Sequence, residues 1–599
     1  PSSYIGTSTV TENFPTYREV FAVAVPSSLA RRYAPFLILA GVQVLLVALV
    51  PSTGGPNGGG STVSAGPGAA FGPESGAPTA EGATGTVDGT VAGGGGPGGT
   101  TGGTAGGGAG GTSGTGARIG SGGGGGTGSG PKGRFTDDRS KCAKDGLRQQ
   151  DVTITSPPCV PRWEGDNGGA TYRGVTGRTV NIIHYRPQSN EQVDAILRTQ
   201  GLAATPAEEA KARDAFKKFF EKHYEFYGRT INWIPVQGTC EITPPATECF
   251  RTEAKRLNQQ WTPFAVFWTT ATVQGELFEQ WTQLGVVNIG GWHFHQDFVV
   301  RNRPFHYDVF MDGTRTVRNL AEYWCKKMQG KNATLAGDPT FHSVRRKLGV
   351  ITQNYDYTRK NAVDFVNLVR GGMCGGPGDA ASPYYTDSDI TKAQTAATGA
   401  IQYMRDNDVT TLVFLSDPIG PRFFTQEATA QGYYPEHLLA GSGLIDYDTL
   451  GRLYDGAQWR NAFGVGHLAE PIPFPESDAA VAAKDVGVTG LYSGANLLFA
   501  YMHLAVLQVQ MAGPDLNPTN VERGVLNLPP GGGWERTKNP ASVLVKFGPG
   551  DYTAIEDSRH TWWDPGYTSK IDGGTGGYRA VEGGRRWEIG TWAPGDPKK

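Results

Sequence analysis

From residue 178 onwards, short apolar runs alternate with longer stretches whose apolar positions recur at helical spacing. Residues 179–184 read as a strand. Residues 206–227 follow as an amphipathic helix, with Ala212, Phe216, Phe219, Phe220 and Phe226 near one face. Strand 230–236, a helix near 250–260, strand 264–268, helix 274–284 and strand 286–290 continue the series, which ends with strand 307–311 and helix 317–328. A second series opens at strand 347–352 and runs through helices 359–370 and 389–406, strand 411–415, helix 421–431 and strand 438–441. Alternating β and α with nearly continuous apolar strands predicts parallel sheets covered on both faces. Two such series predict an α/β fold of two doubly wound parallel-sheet lobes. Ligands of such sheets bind beyond the carboxyl ends of the strands, at the point where strand order reverses. The pattern therefore places a binding site in the cleft between the lobes.

The first 133 residues follow different rules. Arg31 and Arg32 precede a nearly uncharged run over 34–50. A membrane span needs about 20 residues, and this run is just long enough. Arginines before it and none just after it predict a cytoplasmic tail over 1–33, a transmembrane anchor over 34–51, and everything later outside. A cleaved signal peptide is the competing reading; the length of the run and the thirty residues before it favour the anchor. Residues 52–133 are dominated by Gly, Ser, Thr, Ala and Pro and cannot build a core. They read as a flexible linker with a reach of roughly 50 Å.

All six cysteines lie beyond that linker: Cys142, Cys159, Cys240, Cys249, Cys325 and Cys374. An even count on the expected outside favours disulfides. Neighbours in order close the shortest loops, so 142–159, 240–249 and 325–374 are the expected pairs, the first within a lead-in over 134–177. No C-x₂-C pair supports zinc, and His293 and His295 lack further ligands apart from Asp297, so neither metal nor cofactor is expected.

Composition narrows the function classes. With 54 Lys and Arg against 56 Asp and Glu, the net charge is −2, which leaves no general basic footprint for nucleic acid. The sequence has no G-x-S-x-G, H-E-x-x-H or P-loop pattern, so an enzyme is not expected.

Four stretches give the head its resemblance to a known family. The first is the turn Phe226, Tyr227, Gly228, Arg229 after a long helix. The second is the lobe-opening Lys347, Leu348, Gly349, Val350, Ile351. The third is the apolar helix over 491–513, ending in Ala512, Gly513, Pro514, Asp515. The fourth is the closing strand series from 542. In this order, over about 178–592, they resemble the type 1 periplasmic binding proteins, the branched-chain amino-acid-binding family that serves ABC importers. The resemblance implies three chain crossings between lobes, near 342–346, 459–464 and 528–541. Lobe 1 is then 178–342 plus 464–528, and lobe 2 is 346–460 plus 541–595. It also implies a small-molecule ligand and an ABC permease or sensor as partner; the N-terminal anchor implies a cell-surface location.

The loops after the strands supply the candidate ligand contacts. Trp268, Thr269 and Thr270 follow strand 264–268, although their hydroxyls suit a helix cap equally. Gly291, Trp292 and His293 follow strand 286–290, where the family usually carries Ser and Thr. Asn354, Tyr355 and Tyr357 follow strand 347–352. Asp417 follows strand 411–415, where an Asp before Pro418 also suits a turn. Aromatic residues dominate these loops, so the expected ligand has apolar or ring character, captured by hinge closure. The alternative is a cell-surface structural or interaction protein that keeps the fold without a transport ligand, in which the loop over 290–295 fills the cleft.

Overall fold

The structure, a computed structural model, describes residues 130–597 apart from 189–190, 242–245, 270–274, 372, 374, 388 and 390–391. The expected anchor and nearly all of the linker lie outside the described residues. The linker ends slightly earlier than its composition suggests, because β1 (Lys132–Phe135) already pairs antiparallel with β2 (Trp163–Asp166).

Five parallel strands form the first sheet: β3 (Thr179–Gln188), β4 (Thr230–Glu241), β5 (Ala265–Phe267), β6 (Val287–Ile289) and β7 (His306–Tyr307). Their order is β4-β3-β5-β6-β7, so strand order reverses between β3 and β5. The second sheet repeats the plan with β8 (Leu348–Gln353), β9 (Tyr384–Thr386), β10 (Thr411–Leu415), β11 (Glu436–Ala440) and β12 (Ala462–Gly466), in the order β9-β8-β10-β11-β12. A minor ribbon of β13 (Gly531–Gly532) and β14 (Leu544–Val545) follows. Antiparallel β15 (Asp557–Thr568), β16 (Thr575–Ala580) and β17 (Arg586–Glu588) then extend the second sheet beyond β12. The chain past residue 130 is thus α/β with two doubly wound parallel sheets.

Alternation along the strands produces two covered faces. In the second sheet Leu348, Val350, Val413 and Leu415 pack with Val317 and Leu320 of helix Gly313–Tyr323. Their neighbours Ile351, Leu412 and Phe414 point the other way, into a core with Ala397 and Ile401 of helix Ala393–Asp406. In the first lobe, helix Pro206–His223 starts at a capping box in which Thr205 and Glu208 bond reciprocally. Helix Ala495–Ala512 is apolar on all sides and buried in the same core. Among the described residues it is the one helix long and apolar enough to cross a membrane, and 78% of it is buried.

The Tyr227-Gly228 turn has a clear job. Both residues take positive φ, 57° and 77°, and deliver Arg229 to four carbonyls. Its guanidinium donates to Asn167 and Pro514 at 2.8 Å each, to Gly169 at 3.1 Å and, through Nε, to Thr176 at 2.8 Å. That clamp fastens the lead-in to the first lobe. The lead-in also carries the Cys142–Cys159 disulfide, and Cys240–Cys249 closes the loop between β4 and the next helix. Cys325 is disulfide-bonded too; its expected partner Cys374 lies outside the described residues.

The crossings differ from those the sequence suggests. Helix Gly313–Tyr323 packs in the second lobe, so the first crossing is at 308–313 rather than 342–346. β12 belongs to the second sheet, which moves the second crossing to 466–470. Phe547, Tyr552, Ala554 and Ile555 still pack with the first lobe, and the third crossing follows at 553–557 rather than 528–541. Helical periodicity reports that a helix has an apolar face, not which sheet covers it.

Three buried arginines join these crossings. Arg315 ties the first to the third through Asp551 (2.5 Å) and Glu556. Arg559 joins the third to the second through Glu470 and the Leu468 carbonyl. Arg586 pairs with Asp557 at 2.8 Å and donates to the carbonyls of His467 and Leu468, both at 2.8 Å. Removing one partner of a buried pair leaves an uncompensated charge, which costs about 3–5 kcal/mol. Arg586→Met is therefore expected to lower the free energy of unfolding, read from urea denaturation, by that amount at unchanged m, and adding Asp557→Leu to recover part of the loss.

Candidate functional site

A cavity of about 50 Å³ lies between the lobes, at the carboxyl ends of the second-lobe strands. Four segments of that lobe build it. Gln353 ends β8 and Tyr355, Tyr357 and Thr358 follow it, and Leu415 ends β10 with Ser416 and Asp417 after it, which sets the cavity at the strand-order reversal. Ser442 and Gly443 follow β11, and helix residues Thr316, Val317 and Asn361 close one side. The first lobe contributes Trp292 and His293 alone, from the loop after β6.

That loop has unusual backbone geometry. Gly290, Gly291, Trp292 and His293 take φ of 136°, 123°, 35° and 69° in succession. Left-handed geometry at two bulky residues costs of order 1–3 kcal/mol each and persists only where surrounding contacts impose it. Contacts on both sides impose it: within the first lobe the Gly290 N–H donates to the Tyr307 carbonyl at 2.9 Å and Phe294 packs on Phe298 at 4.2 Å, and further contacts reach the second lobe or the crossing into it. The Asn361 amide donates to the His293 carbonyl at 3.0 Å, and the Gly313 N–H donates to the Phe294 carbonyl at 2.8 Å. His295 bonds Asp364 through Nε2 at 2.9 Å, Lys360 pairs with Asp297, and Phe294 meets Tyr357 edge-on at 4.7 Å.

His293 bridges the lobes through both ring nitrogens. Nδ1 lies 2.8 Å from the Met311 carbonyl and must carry the proton that it donates there. Nε2 then accepts the Gly443 N–H at 3.2 Å. Gly443 has to be glycine: φ is +61°, and a Cβ would sit 2.6 Å from the Ser416 carbonyl. Burial drives the His293 pKa down to about 4, against a smaller upward pull from Met311. The neighbouring His467, with ring centroids 6.1 Å apart, is held well below its usual range, mainly by burial.

Polar atoms without partners also line the cavity. Ser442 Oγ and Asn361 Oδ1 are buried and make no hydrogen bond among the described residues. Asp417 accepts from the N–H groups of Ile419 (2.8 Å) and Gly420 (2.9 Å) and from the Gln353 amide (2.9 Å), and burial raises its pKa. It therefore serves as turn cap and cavity wall together. The rings of Tyr355 and Tyr357 stack in parallel at 5.7 Å.

The structure thus brings together five of the residues singled out from sequence: Trp292, His293, Tyr355, Tyr357 and Asp417. Others lie elsewhere. Trp268 is core, packed against Phe278 at 5.1 Å and Tyr185 at 5.8 Å. Thr269 is half-buried beside it and does not reach the cavity, and Thr270 lies outside the described residues. Gly291 is buried behind the cavity wall, against Phe294 and His306. Asn354 is exposed, its N–H bonded to the Thr386 carbonyl. Sequence reading missed Ser442 and Gly443, whose signal is the Gly441-Ser-Gly443 run closing strand β11, and Asn361 and Thr316, which sit inside helices.

No family model matches the sequence, and no curated protein matches it. Similar solved structures are ABC-transporter substrate-binding proteins. One, from Aeropyrum pernix, is 12% identical with a TM-score of 0.47, over 69% of this chain and 96% of that one. Another, from Rhodopseudomonas palustris in complex with 3,4-dihydroxybenzoic acid, is 11% identical with a TM-score of 0.47, over 69% and 99%. A fatty-acid substrate-binding protein from Thermomonospora curvata is 14% identical with a TM-score of 0.47, over 70% and 95%. At these values the reading of this chain rests on its own geometry.

The His293 bridge predicts a pH dependence. Its pKa is depressed in the folded head from 6.5 to about 4, so the unfolded chain binds more protons between those values. Stability therefore falls as pH drops from 6.5 to about 4, by roughly 3 kcal/mol at most from this group. Urea denaturation at pH 7 and pH 4.5 is expected to show a smaller loss for His293→Gln than for the wild type; equal losses contradict the bridge.

Proposed function

We propose that the head captures a small ring-bearing molecule between its lobes and releases it by opening at the three crossings. One observation carries this reading: the interlobe cavity presents stacked Tyr355 and Tyr357, Trp292, and buried polar atoms of Ser442 and Asn361 that the described residues leave unsatisfied. Buried polar groups are normally paired, and a ligand supplies the missing partners. Among the described lining residues Asp417 is the one Asp or Glu, and there is no Lys or Arg. An acid buried there meets a carboxylate and no counter-charge, so neutral or cationic ligands are favoured.

At about 50 Å³ the cavity admits little more than water, so ligand entry requires the loop after β6 to withdraw. Trp292 and His293 occupy the place a bound molecule takes, and a ligand shifts the lobes towards closure only by binding that state better than the open one. Delivery to an ABC importer or sensor is the role the sequence resemblance implies, with the head held outside the cell by the anchor expected over 34–51 from the apolar run. We read the head as non-catalytic. The one hydroxyl–imidazole contact in the cavity, Thr316 to His293 Nδ1 at 3.2 Å, uses the nitrogen that already donates to Met311, leaving the hydroxyl no base.

The same loop favours a second reading. Trp292 and His293 fill the cleft and bond across it, as expected of a surface interaction protein that keeps the fold without a ligand. Native mass spectrometry of the purified chain separates the two. The binding reading predicts a small-molecule adduct that is absent from Ser442→Trp, which fills the cavity. No adduct from the native host, together with no binding of neutral or cationic ring compounds by calorimetry, supports the second reading.

A further inference from the structure

A second, larger cavity of about 330 Å³ lies between the minor ribbon β13–β14 and strand β17, and it shares no lining residue with the interlobe cavity. The run Pro529-Pro-Gly-Gly-Gly-Trp534 shapes one wall. Gly532 and Gly533 take positive φ, and a Cβ on Gly532 would lie 2.2 Å from the Val543 carbonyl, so glycine alone lets the ribbon turn and present Trp534. The opposite end is Trp587 on β17, stacked by the Arg585 guanidinium at 4.1 Å. Trp587 is buried and also stacks on Trp592 at 5.7 Å, so the half-buried Trp534 indole is the one that offers flat apolar surface to a ring.

Charge around these rings is uneven. Asp557 is taken up by Arg586 at 2.8 Å, and Glu535 by Lys538 at 2.5 Å and Arg585 at 3.5 Å. Arg536 and Lys546, both exposed, have no carboxylate partner among the described residues, although the Arg536 guanidinium also donates to the Pro530 carbonyl; Glu588, exposed too, has no cationic partner among them. The cavity thus has cations ready for an acid group and one free carboxylate ready to accept from hydroxyls. A plain aromatic acid satisfies the cations but gives Glu588 no donor, and a neutral sugar leaves the cations unused. We infer that this pocket binds an acidic saccharide, its ring against Trp534, its carboxylate or phosphate at Arg536 and Lys546, and its hydroxyls at Glu588.

Calorimetry on the full-length protein with glucuronate, glucose 6-phosphate, glucose and benzoate tests this and separates carboxylate from phosphate sources. Saturable binding of at least one acidic sugar is expected, weakening with salt and about tenfold tighter than glucose or benzoate. The exposed double variant Arg536→Glu/Lys546→Glu and, separately, Trp534→Ala are each expected to weaken it by about tenfold or more, with the urea midpoint unchanged in the double variant. No binding of either acidic sugar, glucose binding as tightly, or acidic-sugar binding unchanged in the double variant overturns the assignment.

Discussion

Both lobes depend on how the chain passes between them. It crosses at 308–313, 466–470 and 553–557, and three buried guanidinium groups hold the crossings side by side. Arg315 spans the first and third, and Arg559 and Arg586 span the second and third. The main chain adds to this, with Asp308 pairing in parallel with Thr553. Buried ion pairs contribute little net stability, but they leave few alternative arrangements once formed. That constraint brings the carboxyl ends of one sheet to face the loop after β6 of the other.

The site is lopsided. The second lobe supplies most of the cavity, at its strand-order reversal, while the corresponding point of the first lobe, between β3 and β5, is closed by the core residue Trp268. The first lobe reaches over with one loop in strained, left-handed backbone, held by contacts from both lobes. Separating the lobes breaks the bonds this loop makes to Gly443, Asn361 and Asp364.

Much of this was legible in the sequence. Strand 179–184 and strand 411–415 announced parallel sheets through unbroken apolar runs, and the aromatic loops at 292–293 and 355–357 stood out beside them. Trp268 misled because a tryptophan at a strand end looks the same in a core as in a cleft. Ser442 and Asn361 were invisible because nothing local marks a small polar residue as facing a cavity. The crossings were misplaced because helix 313–323 has one apolar face, and its partner, the sheet built 35 residues later at Leu348, is a long-range fact.

The account turns on a closed cleft held by the imidazole of His293 at the Gly443 amide. Hydrogen exchange at that amide measures this directly, in wild type and in His293→Ala at pH 7. The account predicts protection in the wild type, exchange faster by about tenfold in the variant, and no change in the core strand β10. Equal exchange at Gly443 in the two proteins would show that His293 does not hold the lobes together.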